Sequence, residues 1–250
     1  MNKLFKLFER LSRFFLSIIP MFYKRGHRFQ NKNQVTNTSL ILSLIKNKID
    51  FNFILDIGCG HGEWFLKCNT FFPTSNYLLF DANNLNKDKL ETLKKKYNNI
   101  NYTICLLSDK IKDLDFFNMG YGSSVYEENT NYKRYVEKLK STTLEIELKR
   151  FKITNLNNLI KLDVQGSELD ILKGLNEQIY KFEVIILETS LKQYNKKSPL
   201  FFEIINFMNS KDFVFYDLCD LKRLGKEAVL VQFDAVFVRK GSSLLNFNFV

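Results

Sequence analysis

Three groups of residues in this chain have the types and spacing that chemistry needs. Asp163 follows the apolar run Leu159 to Leu162, and Glu188 follows Val184 to Leu187. A carboxylate delivered at the carboxyl end of a buried strand, beside a cofactor, is placed for general-base work in an open α/β sheet. Two such carboxylates close together raise one pKa, which suits a base. Upstream, residues 53 to 62 read Phe-Ile-Leu-Asp-Ile-Gly-Cys-Gly-His-Gly, an apolar run that ends in Asp56 and continues through Gly58, Gly60 and Gly62. This is the pattern of a buried strand feeding a tight loop, whose glycines let backbone amides approach a ligand closely before a helix begins. The next apolar run, Tyr77 to Phe80, closes on Asp81, roughly 20 residues past the glycines, where an acidic residue accepts from ribose hydroxyls. Together these residues describe a nucleotide-type cofactor site.

Spacing decides which cofactor. A dinucleotide fingerprint needs a glycine three residues after Gly60, and Glu63 stands there. Asp-x-Gly-x-Gly-x-Gly instead resembles motif I of class I S-adenosylmethionine methyltransferases. Their ligand has no pyrophosphate but carries a carboxylate, an ammonium and a ribose.

The elements that must position these residues alternate along the chain. Residues 34 to 49 predict a helix capped by Asn37 to Ser39, Glu63 to Asn69 a first crossover helix, and Lys87 to Lys96 a charged helix. Tyr102 to Leu107 predicts a third strand that ends in Ser108-Asp109. Residues 110 to 158 break the rhythm and read as an inserted hairpin or lid, with a turn at Gly120 to Ser124 and with Leu144, Ile146 and Leu148 alternating as a strand would. Regularity returns with a strand over Leu159 to Val164, a helix from about Ser167, a strand over Val184 to Leu187 and a helix over 200 to 209. Phe213 to Tyr216 and Val229 to Val238 form a closing pair. Such alternation implies an α/β domain with a parallel sheet and helices on both faces.

The most specific stretch is Leu159 to Gly174, Leu-Ile-Lys-Leu-Asp-Val-Gln-Gly-Ser-Glu-Leu-Asp-Ile-Leu-Lys-Gly. It resembles the FkbM family of S-adenosylmethionine-dependent methyltransferases, whose hallmark is Lys-x-Asp-Val-x-Gly-x-Glu ending in Leu-Lys-Gly. Further landmarks match in order: Asp56 to Gly62, Ser108-Asp109, Gly122-Ser123-Ser124, Thr143-Leu144, Glu188, and Asp234 to Lys240. The resemblance spans roughly residues 50 to 240. It implies a class I, Rossmann-like three-layer sandwich with a mostly parallel seven-stranded sheet, and S-adenosyl-L-methionine as the methyl donor. Asp56, Gly58, Gly60, Gly62, Asp81, Ser108 and Asp109 are then the donor-binding residues, while Asp163 and Glu188 end adjacent strands as the catalytic pair. The family acts as O-methyltransferases on small molecules and glycans, notably sugars of surface polysaccharides and natural products. Two positions depart from it: Asp81-Ala82 stands where Glu-Pro is common, and Glu145 where an Asp is common.

Plainer roles compete with some of these. Glu168, in the first turn of its helix, suits a cap or the helix dipole. Asp163 has two further readings, a grip on the methionine portion of the donor or on a divalent metal, for which a carboxylate set favours Mg over Zn. His61 reads as a structural loop residue first and a base second. Tyr121 and Tyr126 in the inserted segment are candidates to stack on a sugar.

Composition bounds the rest. At 250 residues with 45% hydrophobic residues and 25 Phe, the chain fits one folded domain (29 to 250) and an appendage (1 to 28). Of the net charge of +10, six lie in residues 1 to 28, where Lys3, Lys6, Arg10, Arg13, Lys24, Arg25 and Arg28 face Glu9 alone. The domain's own charge is therefore a weak argument for nucleic acid, and no Asn/Asp-Pro-Pro-Tyr block or Pro-Cys nucleophile is present. No nucleic-acid partner is expected. A non-catalytic methyltransferase-like module is the other rival, and the intact glycines, Asp81 and Asp163 speak against it. Leu4, Leu7, Phe8, Leu11, Phe15 and Ile18 share a helical face up to Pro20, an amphipathic basic helix that suits either a membrane surface or packing on the domain. The ten apolar residues Phe14 to Tyr23 are too few to span a bilayer and lack a small-residue cleavage site. Cys59, Cys68, Cys105 and Cys219 have no Cys-x-x-Cys spacing, which predicts free thiols and a reducing, cytoplasmic setting.

Overall fold

The computed structural model describes residues 37–120, 122–151, 153 and 157–246. The basic helix expected over 1 to 28 and the Tyr121 position lie outside them.

Helix α1 (Thr38–Lys46) buries Ile41, Leu42 and Ile45 along one face and leads into β1 (Phe53–Ile57). The glycine loop then carries the chain into α2 (Glu63–Asn69). The unit repeats through β2 (Asn76–Asp81), α3 (Lys87–Lys96) and β3 (Ile100–Ile104). After an excursion the core resumes with β7 (Asn158–Leu162), α5 (Glu168–Lys173), β8 (Val184–Ser190) and α6 (Phe201–Ser210). It closes with β9 (Phe213–Leu224) and β10 (Val229–Arg239). These strands form one seven-stranded sheet in the order β3-β2-β1-β7-β8-β10-β9, parallel except that β10 runs antiparallel to both of its neighbours. The three-layer, mostly parallel architecture expected from the sequence is present. β1 leads outward through β2 and β3, and β7 outward through β8, so the direction in which strands are added reverses between β1 and β7. That is where open sheets bind ligands, beyond the carboxyl ends of the strands.

The strands are apolar on both faces because helices cover both. Leu55, Ile57, Leu78, Phe80, Ile160, Leu162, Ile185 and Leu187 pack with Leu144, Ile171, Leu172, Ile204 and Met208 on one side. Ile54, Tyr77, Leu79, Leu159, Val184 and Ile186 pack with Ile41, Ile45, Phe65, Cys68 and Leu90 on the other. The period-two split within each strand follows from the pleat. The four cysteines are free thiols. Among the described residues, no helix is long and apolar enough to cross a membrane.

The excursion holds a hairpin, β5 (Asp113–Asn118) with β6 (Tyr135–Thr142), whose end pairs with the short β4 (Leu106–Leu107). Two expectations are corrected here. The strand predicted over Leu144 to Leu148 is a helical turn, α4 (Leu144–Leu148), because the Thr143 hydroxyl accepts from the Ile146 amide and caps it. Leu144 and Leu148 are buried and Ile146 is 38% exposed, and a one-turn helix repeating at four residues mimics a period of two. The third strand also does not run on to Leu107: it stops at Ile104, and Leu106-Leu107 leave the main sheet to pair with Ser141-Thr142.

Candidate active site

Asp56, near the end of β1, is 2% exposed, and its Oδ2 has no hydrogen-bonding partner among the described residues. Burial pushes this carboxyl up to about 7, against the pull of Lys161 and a backbone bond from Phe65. The loop that follows is shaped by two close limits. At Gly58 (φ +76°) a Cβ would lie 2.0 Å from the Asp163 carbonyl oxygen, so the loop is pressed onto the end of β7. At Gly60 (φ +54°) a Cβ would meet nothing closer than Glu63 Oε2 at 3.8 Å, because this residue borders a cavity. The Gly60 amide donates to Asp81 Oδ2 at 2.7 Å and the Asn83 amide to Oδ1 at 2.7 Å. Asp81 is thereby fixed at the end of β2, its pKa raised by burial in spite of both bonds.

A second cluster sits across β7, β8 and β10. Lys161 is the register partner of Asp56 across β1 and β7, and Glu188 is that of Asp234 across β8 and β10. The Lys161 ammonium, 3% exposed, lies 3.2 Å from Asp234 Oδ2 and 3.4 Å from Asp163 Oδ2. Its burial is outweighed by Asp163, Asp234, Glu188 and Asp56, so it stays charged. Burial pushes Asp234 up to about 6, and burial with the Asp163 charge pushes half-buried Glu188 well above the usual carboxylate range. The Asp163 side chain is 43% exposed and so is the member of this cluster open to a ligand.

A cavity of about 760 Å³ joins the two clusters, a size suited to a small-molecule site. Of the residues predicted to form the site, Asp56, Gly58, Gly60, Asp81 and Asp163 line it, as does His61. Four do not. Gly62 packs the loop against α3, where a Cβ would meet Leu93 Cδ1 at 2.4 Å. Ser108 and Asp109 are carried away by the turn of β4 toward β6: Ser108 O packs on Gly174, and Asp109 pairs with Lys112 at 2.6 Å. Cys105 and Leu106 take that side of the wall. Glu188 stands behind the wall, joined to it through Gln165, whose Nε2 donates to Asp163 Oδ1 at 2.8 Å and to Glu188 Oε2 at 2.7 Å.

Other candidates are occupied structurally. Glu168 accepts from the Val164 and Gly166 amides, bracing the loop ahead of its own helix, and burial lifts it to about 7. The Tyr126 hydroxyl donates to Asp170 at 2.7 Å. Three residues of the cluster had no role assigned from sequence: Lys161, Gln165 and Asp234. Lys161 carried a signal, since it lies two residues before Asp163 and so on the same face of the sheet. Asp234 meets Glu188 through strand pairing, and Gln165 reaches its partners through loop geometry, which a sequence does not display.

The family model for the methyltransferase FkbM domain matches residues 56–215, well over half of the chain. The chain belongs to the FkbM methyltransferase family. It is a class I, S-adenosylmethionine-dependent methyltransferase. No curated protein matches it. Solved structures that it resembles include the precorrin-6y C5,15-methyltransferase of Geobacter metallireducens GS-15, at 10% identity over 80% of this chain and 87% of that one, with a TM-score of 0.46. TrmK of M. capricolum, in complex with S-adenosyl-homocysteine, resembles it at 12% identity over 79% and 67%, with a TM-score of 0.46. At such identities the likeness says nothing about substrate.

The FkbM site fits its donor on its own geometry. An unpartnered buried carboxylate oxygen on Asp56, an open cradle at Gly60 and the apolar wall of Leu106, Leu107 and Phe116 meet a ligand that is part cation and part aromatic ring. A divalent metal has less to hold it. Both Asp163 oxygens already face Gln165 and Lys161. Cys219, Asp220 and Asp234 bring metal-type ligand atoms together, but Thr38 donates to Asp220 and Lys161 pairs with Asp234. Those bonds account for the grouping without an ion.

Proposed function

We propose that this methyltransferase modifies a hydroxyl of a sugar, in a surface glycan or a natural product, with Asp163 as the general base and Glu188 as its supporting carboxyl. The observation that supports the reading is that the Asp163 side chain, 43% exposed, lines the same cavity as Gly58 and Gly60, with its backbone carbonyl against the Gly58 turn. Asp81 would hold the ribose hydroxyls, the Asp56 carboxylate and the Gly58 to Gly60 loop the methionine portion, and the Leu106-Leu107 wall the adenine. S-adenosylmethionine supplies an electrophilic methyl group, so transfer forms an O–C bond and breaks an S–C bond.

The residues must then orient the acceptor oxygen, exclude water and remove one proton. The acceptor hydroxyl proton passes to Asp163 Oδ2 and leaves later to solvent. Lys161 sets a positive charge 3.4 Å from Asp163 Oδ2, while burial and the neighbouring Asp163 push Glu188 toward its neutral form. The acceptor is read as a small molecule or glycan, because the groups gathered around Lys161 are acidic and offer a polyanion little to bind.

The test is transfer of labelled methyl groups from S-adenosylmethionine into a fractionated host lysate, with Asp163→Ala as control. Label is expected in nucleotide sugars or lipid-linked glycans, with turnover of the control reduced on the order of 100-fold or more at near-normal donor affinity. Label in nucleic acid would overturn the reading.

A further inference from the structure

Gln165 occupies a conformation that side chains rarely adopt, with φ +56°. The inserted segment holds it there, since Ser124 Oγ donates to the Gln165 carbonyl at 2.8 Å. From this position both hydrogens of its amide are spent on carboxylates, one on Asp163 Oδ1 at 2.8 Å and one on Glu188 Oε2 at 2.7 Å. The amide orientation is dictated by its partners, because the reverse would set an oxygen against two carboxylates. With Oδ1 committed to Gln165, the oxygen of Asp163 left for chemistry is Oδ2, on the Lys161 side.

We propose that Gln165 is a positioning residue that ties Asp163 and Glu188 into one hydrogen-bonded unit and presents Asp163 Oδ2 to the acceptor hydroxyl. The proposal rests on Asp163 being the base. A carboxamide is suited to this place: it supplies two donors and no charge, so it bridges the carboxylates without cancelling the basicity of Asp163. Lysine would add a positive charge beside the base, and glutamate a further acidic group. The link through Ser124 also ties the inserted segment to the geometry of the base, because that bond is one of the contacts that hold Gln165 in place.

Gln165→Gly separates this role from a structural one. Glycine tolerates φ +56° without strain, which offsets part of the two lost hydrogen bonds, so the variant should stay folded and bind S-adenosylmethionine within about twofold, while methyl transfer falls on the order of 100-fold through misplacement of the base. The assay uses labelled S-adenosylmethionine and the lysate fraction that accepts label. The charged groups facing Asp163 are Lys161, Asp56, Glu188, Glu168 and Asp234. All remain in the variant, which loses the two amide donors, so the loss should fall on kcat, with KM for S-adenosylmethionine held within about twofold.

An arm that needs no acceptor follows the 15N-labelled Gln165 side chain by NMR. Both amide protons should resonate as hydrogen-bonded, with Asp163→Asn moving one and Glu188→Gln the other; a solvent-exposed pattern overturns the proposal. Full turnover in Gln165→Gly, or a loss that falls on KM with kcat unchanged, overturns it too. Both results leave the base assignment standing, whereas full turnover in Asp163→Ala removes that assignment and this one with it.

Discussion

Replacing Asp56 with asparagine should make the unliganded protein more stable at pH 8 while harming its function. The Asp56 carboxyl rises from an ordinary 3.8 to about 7 in the folded chain because it is fully buried with one oxygen unpartnered. Between those two values the native state binds a proton that the unfolded chain has released, so stability falls as pH rises through this window. A rise from 3.8 to about 7 costs the native state about 4 kcal/mol at pH 8 and about 1.5 kcal/mol at pH 5. The Asp56→Asn substitution removes that penalty, keeps an oxygen for the Phe65 amide, and leaves a buried NH₂ unsatisfied at about 1–3 kcal/mol. The net expectation is a gain of roughly 1–3 kcal/mol at pH 8, and a wild-type-to-variant gap that grows by about 3 kcal/mol between pH 5 and pH 8. Other raised carboxyls contribute to both proteins and cancel in the gap. Urea denaturation of the two chains at both pH values measures it, with S-adenosylmethionine added in a parallel series. The ligand should stabilise the wild type more than the variant, because binding supplies the missing partner for Asp56. A gap that does not change with pH, or a variant less stable at pH 8, would refute the argument that Asp56 is held as an unpaired buried acid.

The remaining predictions concern the same loop and cluster. Gly58→Ala should cost at least about 2–3 kcal/mol, since its Cβ would overlap the Asp163 carbonyl, whereas Gly60→Ala should cost only about 1 kcal/mol of backbone strain while obstructing the donor cradle. Denaturation curves and donor titrations of both variants check this, and equal stability losses would contradict the packing described. Lys161→Met should lower stability by about 3–5 kcal/mol at pH 8 by leaving Asp163 and Asp234 without their cation. The loss should shrink at pH 5.5, where Asp234, already raised to about 6, takes up a proton; a pH-independent loss would show that Lys161 acts through packing instead.

Much of the fold was legible because each strand of the core is a short apolar run bounded by polar or glycine punctuation, and because the glycine loop and Asp81 fall in register. The placement of Asp56 and Asp81 on one cavity follows directly, since they sit at or near the ends of adjacent strands that the sequence itself delimits. Legibility failed where local and non-local forces diverge. Leu144 to Leu148 is too short to distinguish periods, and one cap from Thr143 decides it. Ser108 and Asp109 follow an apolar run, as Asp81 does, yet pairing of Leu106-Leu107 with a strand more than thirty residues later turns them away. Gln165 is invisible for the same reason. Its partners lie on two strands and its backbone is set by a serine in the insertion.

The arrangement of charge along one face of the sheet explains why fold and site were unequally readable. On that face, Ile54, Leu79, Leu159 and Ile186 belong to the buried core, and two residues further along each strand stand Asp56, Asp81, Lys161 and Glu188. On β10, which runs the other way, Val236 belongs to the core and Asp234 precedes it. The period of two therefore continues unbroken while the chemistry changes from apolar to ionisable within one step, and the hydrophobic half of the face rigidly places the ionisable half. Among the described residues, Lys161 is the cation set between Asp56, Asp163, Glu188 and Asp234, so the cluster keeps an excess of carboxyl groups in a poorly solvated place. Such an excess relaxes in two ways, by taking up protons or by binding a cation. The raised carboxyls of Asp56, Asp234 and Glu188 are the first, and a donor that carries a sulfonium and an ammonium is the second. Donor binding should therefore release protons near neutral pH, and a site built this way gains affinity for its cationic ligand from the same burial that weakens the empty protein.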